Sequence, residues 1–195
     1  MTLADLNARV DPTRRPALRS CAAAIARQLD ARGEVSVVAV CTHNSRRSQL
    51  AEVWLAVASA AAGLGGVSVC SGGSDPVAVA PGAIAVLRER GFRVEADTAD
   101  ANPRLRVRGH GIERELYAKP LGEAVAGVPL RGGVALMVCA AADAACPPVP
   151  QVGYRARLPF ADPRHADGTP GEAAAYRAAS DRIEAEMRWL VRESR

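Results

Sequence analysis

The chain has 195 residues, 49% hydrophobic and 24% charged, which suits one compact domain spanning 1–195 with a sizeable core. Its net charge of +4 is spread along the chain rather than gathered in a stripe, which suits a small anionic substrate and argues against nucleic acid as a partner. No run approaches the roughly 18 apolar residues of a membrane helix, and the N-terminus lacks a signal-peptide pattern. Five cysteines, an odd number in a domain of this size, point to thiol chemistry in a reducing, cytoplasmic compartment rather than to a disulfide scaffold.

Residues 1–16 are polar and Pro-punctuated and read as an irregular lead or a short helix. Leu18, Ala22, Ile25 and Leu29 then recur at helical spacing, with Gly33 as the C′ residue and Cys21 on the apolar face as a packing cysteine. A β-branched run from Val35 to Val40 ends at Cys41. Arg47 and Ser48 follow, then the helical spacing of Leu50, Trp54, Val57 and Ala61, predicting a helix over 48–62.

Strand, tight loop and helix N-terminus in that order turn backbone N–H groups and the helix dipole toward an anion. Residues Thr42, His43, Asn44, Ser45, Arg46 and Arg47 are the expected oxyanion-binding loop, with Arg47 adding a planar, two-toothed grip on oxyanion oxygens. Positive surroundings lower a thiol's pKa, so Cys41 is expected there as a thiolate, with Ser48 in hydrogen-bond reach of the sulfur. The chemistry is that of a nucleophile in an oxyanion cage.

The segment Cys41-Thr-His-Asn-Ser-Arg-Arg47-Ser48-Gln-Leu-Ala-Glu52 resembles the phosphate loop of the low-molecular-weight protein tyrosine phosphatase superfamily. That superfamily includes the thioredoxin-coupled arsenate reductases, whose loop reads C-T-G-N-S-x-R-S-Q-x-A-E. This chain departs from the pattern at His43, where Gly is usual, and at Arg46, where the reductases often carry a second Cys. Asn44 and Glu52 match family positions that support the loop.

Val67 to Cys70 is a second short strand, with Cys70 packing, followed by the small segment Ser71-Gly72-Gly73 that in the family sits beside the loop. Pro81 to Arg90 reads as a helix and Phe92 to Glu95 as a third strand. Alternating elements of this kind predict an α/β fold, a central parallel four-stranded sheet with helices on both faces, and a ligand site beyond the carboxyl ends of its strands. Residues 96–132 look like an insertion containing a hairpin: Leu105 and Val107, then Ile112 and Leu116, flank Gly109-His110-Gly111. His110 reads as a solvated turn residue rather than a catalytic one.

Val134 to Val138 is the natural fourth strand and ends at Cys139, with Cys146-Pro147-Pro148 beyond. The spacing is too wide for a zinc knuckle, so no metal is expected. The two cysteines match in order and spacing the pair that thioredoxin-coupled arsenate reductases carry after the equivalent strand. After a β-like run from Tyr154 to Leu158 comes Asp162-Pro163. In the superfamily an Asp-Pro here faces the loop, and Asp162 fits the general acid. An aromatic usually follows it in the phosphatases; here Arg164 does, which argues against phosphotyrosine. Thr169-Pro170-Gly171-Glu172 reads as a capping box opening a structural last helix, with Tyr176, Ala179, Ile183, Met187 and Leu190 buried and Trp189 covering an edge.

The resemblance implies reduction of arsenate to arsenite by a three-cysteine relay. Cys41, Arg47, Ser48, Asp162, Cys139 and Cys146 are its catalytic residues, thioredoxin is the external reductant, and no cofactor is tightly bound. The alternative is hydrolysis of a phosphomonoester through a phosphocysteine.

Overall fold

The computed structural model describes residues 3–140, 149 and 151–195. Four parallel strands form the central sheet: β1 (Val35–Cys41), β2 (Val67–Gly73), β6 (Gly133–Met137) and β7 (Val152–Arg157), in the order β2-β1-β6-β7. Every residue of β1 and β6 is buried, as expected of strands covered on both faces. Helices flank the sheet. Helix α2 (Arg15–Arg32) packs on β6 and β7, α3 (Arg47–Ala61) packs on β1 and β2, and α6 (Glu172–Glu193) packs against both helices. A shorter helix, α4 (Pro81–Glu89), also contacts α6.

The parallel α/β sheet is as expected, but one of its strands is not the one anticipated. The Phe92–Glu95 run becomes β3 (Arg93–Ala96) and leaves the parallel sheet. It pairs antiparallel with β4 (Leu105–Gly109), which pairs with β5 (Ile112–Leu116) in a second, three-stranded sheet. The fourth parallel position goes to β7, the β-like run of the sequence, whose mixed burial marks an edge strand.

The expected hairpin is present in the 96–132 segment. Gly109 pairs with Ile112, leaving His110 and Gly111 as a two-residue turn with φ of 51° and 80°. Two successive left-handed residues make the turn whose twist suits a hairpin, so glycine is favoured at 111. His110 is more than a solvated tip: its Nε2 lies 2.8 Å from Arg90 O, and its ring sits 4.7 Å from that of Phe92. Beyond β5 the chain returns to the main sheet, where Gly73 N donates to Lys119 O (3.0 Å) and Gly73 bridges Pro120 in parallel, before a short helix α5 (Leu121–Ala124).

The lead takes the helical of its two readings. Residues Leu3–Arg9 form helix α1 and Pro12–Arg14 a 3-10 turn, because Leu6 and Val10 find places in the core. Trp189 likewise lies under α1, only 1% exposed, and donates to Asn7 Oδ1 (2.9 Å). The capping box is displaced. Gly171, not Thr169, precedes α6; Thr169 Oγ1 accepts from Gly171 N (3.2 Å) and Glu172 reaches back to Gly168 N (2.8 Å). No helix among the described residues is long and apolar enough to cross a membrane.

Candidate active site

The loop from Cys41 to Ser48 crosses from the carboxyl end of β1 to the first turn of α3. Its carbonyls turn outward: Thr42 O accepts from Asp75 N (2.8 Å), His43 O from Val77 N (3.2 Å) and Ser45 O from Ala80 N (2.9 Å). Peptide planes whose carbonyls face out present their N–H groups to the inside, and the N-terminus of α3 points there as well. A bowl of donors suited to a tetrahedral oxyanion results.

Asn44 holds that shape. Its φ of 46° is left-handed, which a non-glycine residue adopts only when its surroundings compensate. Here Asn44 Nδ2 donates to Ser48 Oγ (2.8 Å) and Ser71 Oγ (3.0 Å), while Asn44 Oδ1 accepts from Lys119 N (3.0 Å) and Gln49 Nε2 (3.1 Å). Gln49 Nε2 also bonds Asn44 O (2.9 Å) and Tyr117 O (2.9 Å), tying the loop to the chain leaving β5. Because Ser48 Oγ accepts from Asn44, its own proton is free for Cys41 Sγ, 3.0 Å away. An O–H···S bond is strongest when the sulfur is ionised, so the network suits a thiolate.

Gly73 is the floor. A Cβ there would lie 2.5 Å from Thr42 O, 2.8 Å from Asn44 N and 3.0 Å from Cys41 O, so only a residue without a side chain lets β2 run this close to the loop.

Arg47 and Asp162 meet at the mouth. Arg47 Nη2 donates to Asp162 Oδ2 (2.5 Å) and Arg47 Nη1 to Phe160 O (3.1 Å). Asp162 also caps a 3-10 turn, Pro163–Ala166, by accepting from Arg164 N (3.1 Å). Its loop is stitched to the end of β6, with Phe160 N donating to Val138 O (3.1 Å), and is propped by Arg14, which donates to Pro159 O (2.9 Å) and lies 4.9 Å over the Phe160 ring. Arg14 in turn makes a two-toothed pair with buried Glu186 (2.6 and 2.7 Å).

The other expected site residues fall as follows. Cys139 is buried directly beyond β6, and its Sγ lies 3.7 Å from Thr42 Oγ1. In the register of the sheet Val40 faces Met137, so Cys41 and Cys139 leave neighbouring strands at the same end. Cys146 lies outside the described residues. The Arg46 guanidinium is engaged away from Arg47, donating to Tyr176 Oη (2.9 Å) and Asp167 Oδ2 (3.2 Å); Tyr176, pushed up to about 12 chiefly by burial, bonds Asp167 in turn. His43 Nε2 stands 4.0 Å from Asp75 Oδ2 at the rim. Burial raises the thiols of Cys21 and Cys70 to about 12 and about 11, in keeping with packing roles. Arg14, Arg114, Tyr176 and the 117–119 backbone escaped sequence reading, since nothing in their spacing relates them to the loop. Gln49 alone was adjacent to the motif and legible.

The site thus combines a thiol in a loop of inward N–H groups at the head of a parallel sheet with a carboxylic acid on a C-terminal loop, joined through Arg47. Residues 36–107 match the family described as low molecular weight phosphotyrosine protein phosphatase. No curated protein sequence matches the chain. Among solved structures, the chain is similar to a mutant of YwlE from Bacillus subtilis (18% identity, TM-score 0.55, 82% of this chain and 97% of that one). It is also similar to an arsenate reductase in its phosphate-binding state (18%, 0.51, 83% and 99%) and to a low molecular weight phosphotyrosine phosphatase from Vibrio cholerae O395 (15%, 0.53, 82% and 95%). At these identities the shared property is the fold. The family match covers the first βα unit through β4, and the neighbours that share the fold include both arsenate reductases and phosphatases.

Proposed function

We propose that this enzyme reduces arsenate to arsenite through Cys41, Cys139 and Cys146. Arsenate is a tetrahedral anion and fits the ring of loop N–H groups, with Arg47 gripping two of its oxygens. Cys41 thiolate attacks arsenic, and an oxygen leaves as water with a proton from Asp162, giving a sulfur–arsenic(V) adduct. Cys139 thiolate then attacks Cys41 Sγ. The sulfur–arsenic electron pair passes to arsenic, which departs as arsenite, and a Cys41–Cys139 disulfide forms. Cys146 thiolate attacks Cys139, freeing Cys41 and leaving a Cys139–Cys146 disulfide for thioredoxin to reduce by dithiol exchange.

The observation that carries this reading is the 3.7 Å approach of Cys139 Sγ to Thr42 Oγ1, which sets a second sulfur beside the residue following Cys41. Arg164 after Asp162-Pro163 adds to it, since a charged side chain stands where a phosphotyrosine enzyme needs an aromatic platform. Hydrolysis of a small phosphomonoester is the second reading, favoured by Asp162 standing within hydrogen-bond reach of Arg47, where a leaving-group oxygen would need its proton.

One comparison separates them: arsenite release with thioredoxin recycling, and aryl phosphate hydrolysis, each on wild type and Cys146→Ser. The relay predicts that Cys146→Ser stops multiple-turnover reduction and leaves hydrolysis nearly intact. Undiminished reduction, or equal loss of both activities, would overturn it.

A further inference from the structure

Glu52 is a carboxylate buried to 2% exposure on α3, one turn beyond Ser48 and on the same face of the helix. A buried charge of this kind requires a partner. The partner comes from the hairpin: Arg114 Nη2 on β5 donates to Glu52 Oε1 (3.0 Å) and, in a short contact, to Val69 O on β2. Among the described residues Glu52 Oε2 has no hydrogen-bond partner, so the Arg114 guanidinium carries the compensation. The same strand leads into Tyr117 and Lys119, whose backbones bond Gln49 and Asn44 in the loop.

We propose that Arg114 is a positioning residue for the anion loop: the hairpin sheet supplies the counter-cation that neutralises Glu52 beneath Ser48 and keeps its charge from opposing the Cys41 thiolate. The inference rests on the reading of Cys41 as nucleophile. Arg114 on β5 pairs with Glu52, and Cys70 on β2 feels both: Glu52 acts on its thiol in the same upward direction as burial, Arg114 and Lys119 in the opposite one. Around the rest of the loop stand Arg47, paired with Asp162, His43 near Asp75, and Cys139 beside Thr42. Of these groups, β5 contributes Arg114, so removing it alters one sign of charge at one place.

The test is the pH dependence of Cys41 alkylation by iodoacetamide, followed residue by residue by mass spectrometry with Cys21 and Cys70 as slow internal references. Arg114→Ala leaves a buried, uncompensated carboxylate and should move the midpoint up by about one pH unit; Glu52→Gln leaves an uncompensated guanidinium and should move it down by a similar amount. The double variant should return to the wild-type midpoint, and Arg114→Lys should stay close to it. Opposite shifts are a signature that loosened packing does not produce. Should Arg114→Ala fail to fold, the downward shift of Glu52→Gln carries the test alone. Absent or same-direction shifts would overturn the role of Arg114 while leaving the nucleophile reading in place; a wild-type Cys41 no more reactive near neutral pH than Cys21 and Cys70 would overturn the nucleophile itself.

Discussion

Replacing Gly73 by Ala should disable the enzyme without unfolding it. The added Cβ lies 2.5 Å from Thr42 O, and bringing that approach to ordinary contact near 3.4 Å requires a movement of 0.9 Å. The neighbours are backbone atoms of the loop and cannot rotate away, while β2 is held in register with β1 up to the Cys41–Gly73 pair. The loop is therefore the part that moves. Overpacking of this order costs about 2 kcal/mol, or a fall of roughly 4–8 °C in Tm for a chain of this size. Displacing catalytic groups by about an ångström costs on the order of 100-fold in rate. We expect kcat/KM with arsenate or an aryl phosphate to fall about 100-fold, equivalent to about 2.7 kcal/mol of transition-state stabilisation. Gly65→Ala is the control, since nothing lies within 4 Å of its Cβ; it should change neither quantity. A Gly73→Ala protein that loses stability but keeps its rate would show that the loop tolerates the displacement, and the account of its rigidity would be wrong.

Two further outcomes follow from contacts at the mouth and in the core. Asp162→Asn removes the carboxylate that occupies Arg47 and should tighten binding of inorganic phosphate about five- to tenfold by calorimetric titration while abolishing turnover; unchanged or weaker binding would mean that Arg47 already faces the bowl. Ser180→Ala leaves the buried Trp54 indole N–H without its 2.9 Å partner, and should cost about 2 kcal/mol, seen as a Tm lowered by roughly 4–8 °C with kcat/KM unaltered.

The loop and its flanking elements were legible because their signals are local. Cys41, Arg47 and Ser48 lie on one short stretch, and strand, glycine-poor loop and helix follow in sequence with their own apolar periods. Gly73 and the hairpin turn at His110-Gly111 were legible for the same reason, since small or left-handed positions announce themselves within a few residues. The fourth parallel strand was not. The Tyr154–Leu158 run reads as β-like, but only the pairing of Val152–Arg157 with β6 decides that it is the fourth strand of the central sheet.

From its residues alone, then, this chain determines a thiol-centred anion loop on an α/β sheet, because hydrogen-bond donors, helix start and nucleophile are all set within eight positions. Tertiary structure alone decided what surrounds it: Arg14 under the Asp162 loop, Tyr176 on Arg46, and Arg114 on Glu52, separated in sequence by 62 to 145 residues. Charged side chains on separate elements carry no period or spacing that could pair them. Their partnerships arise only when the core brings those elements together and each buried charge must be met by another.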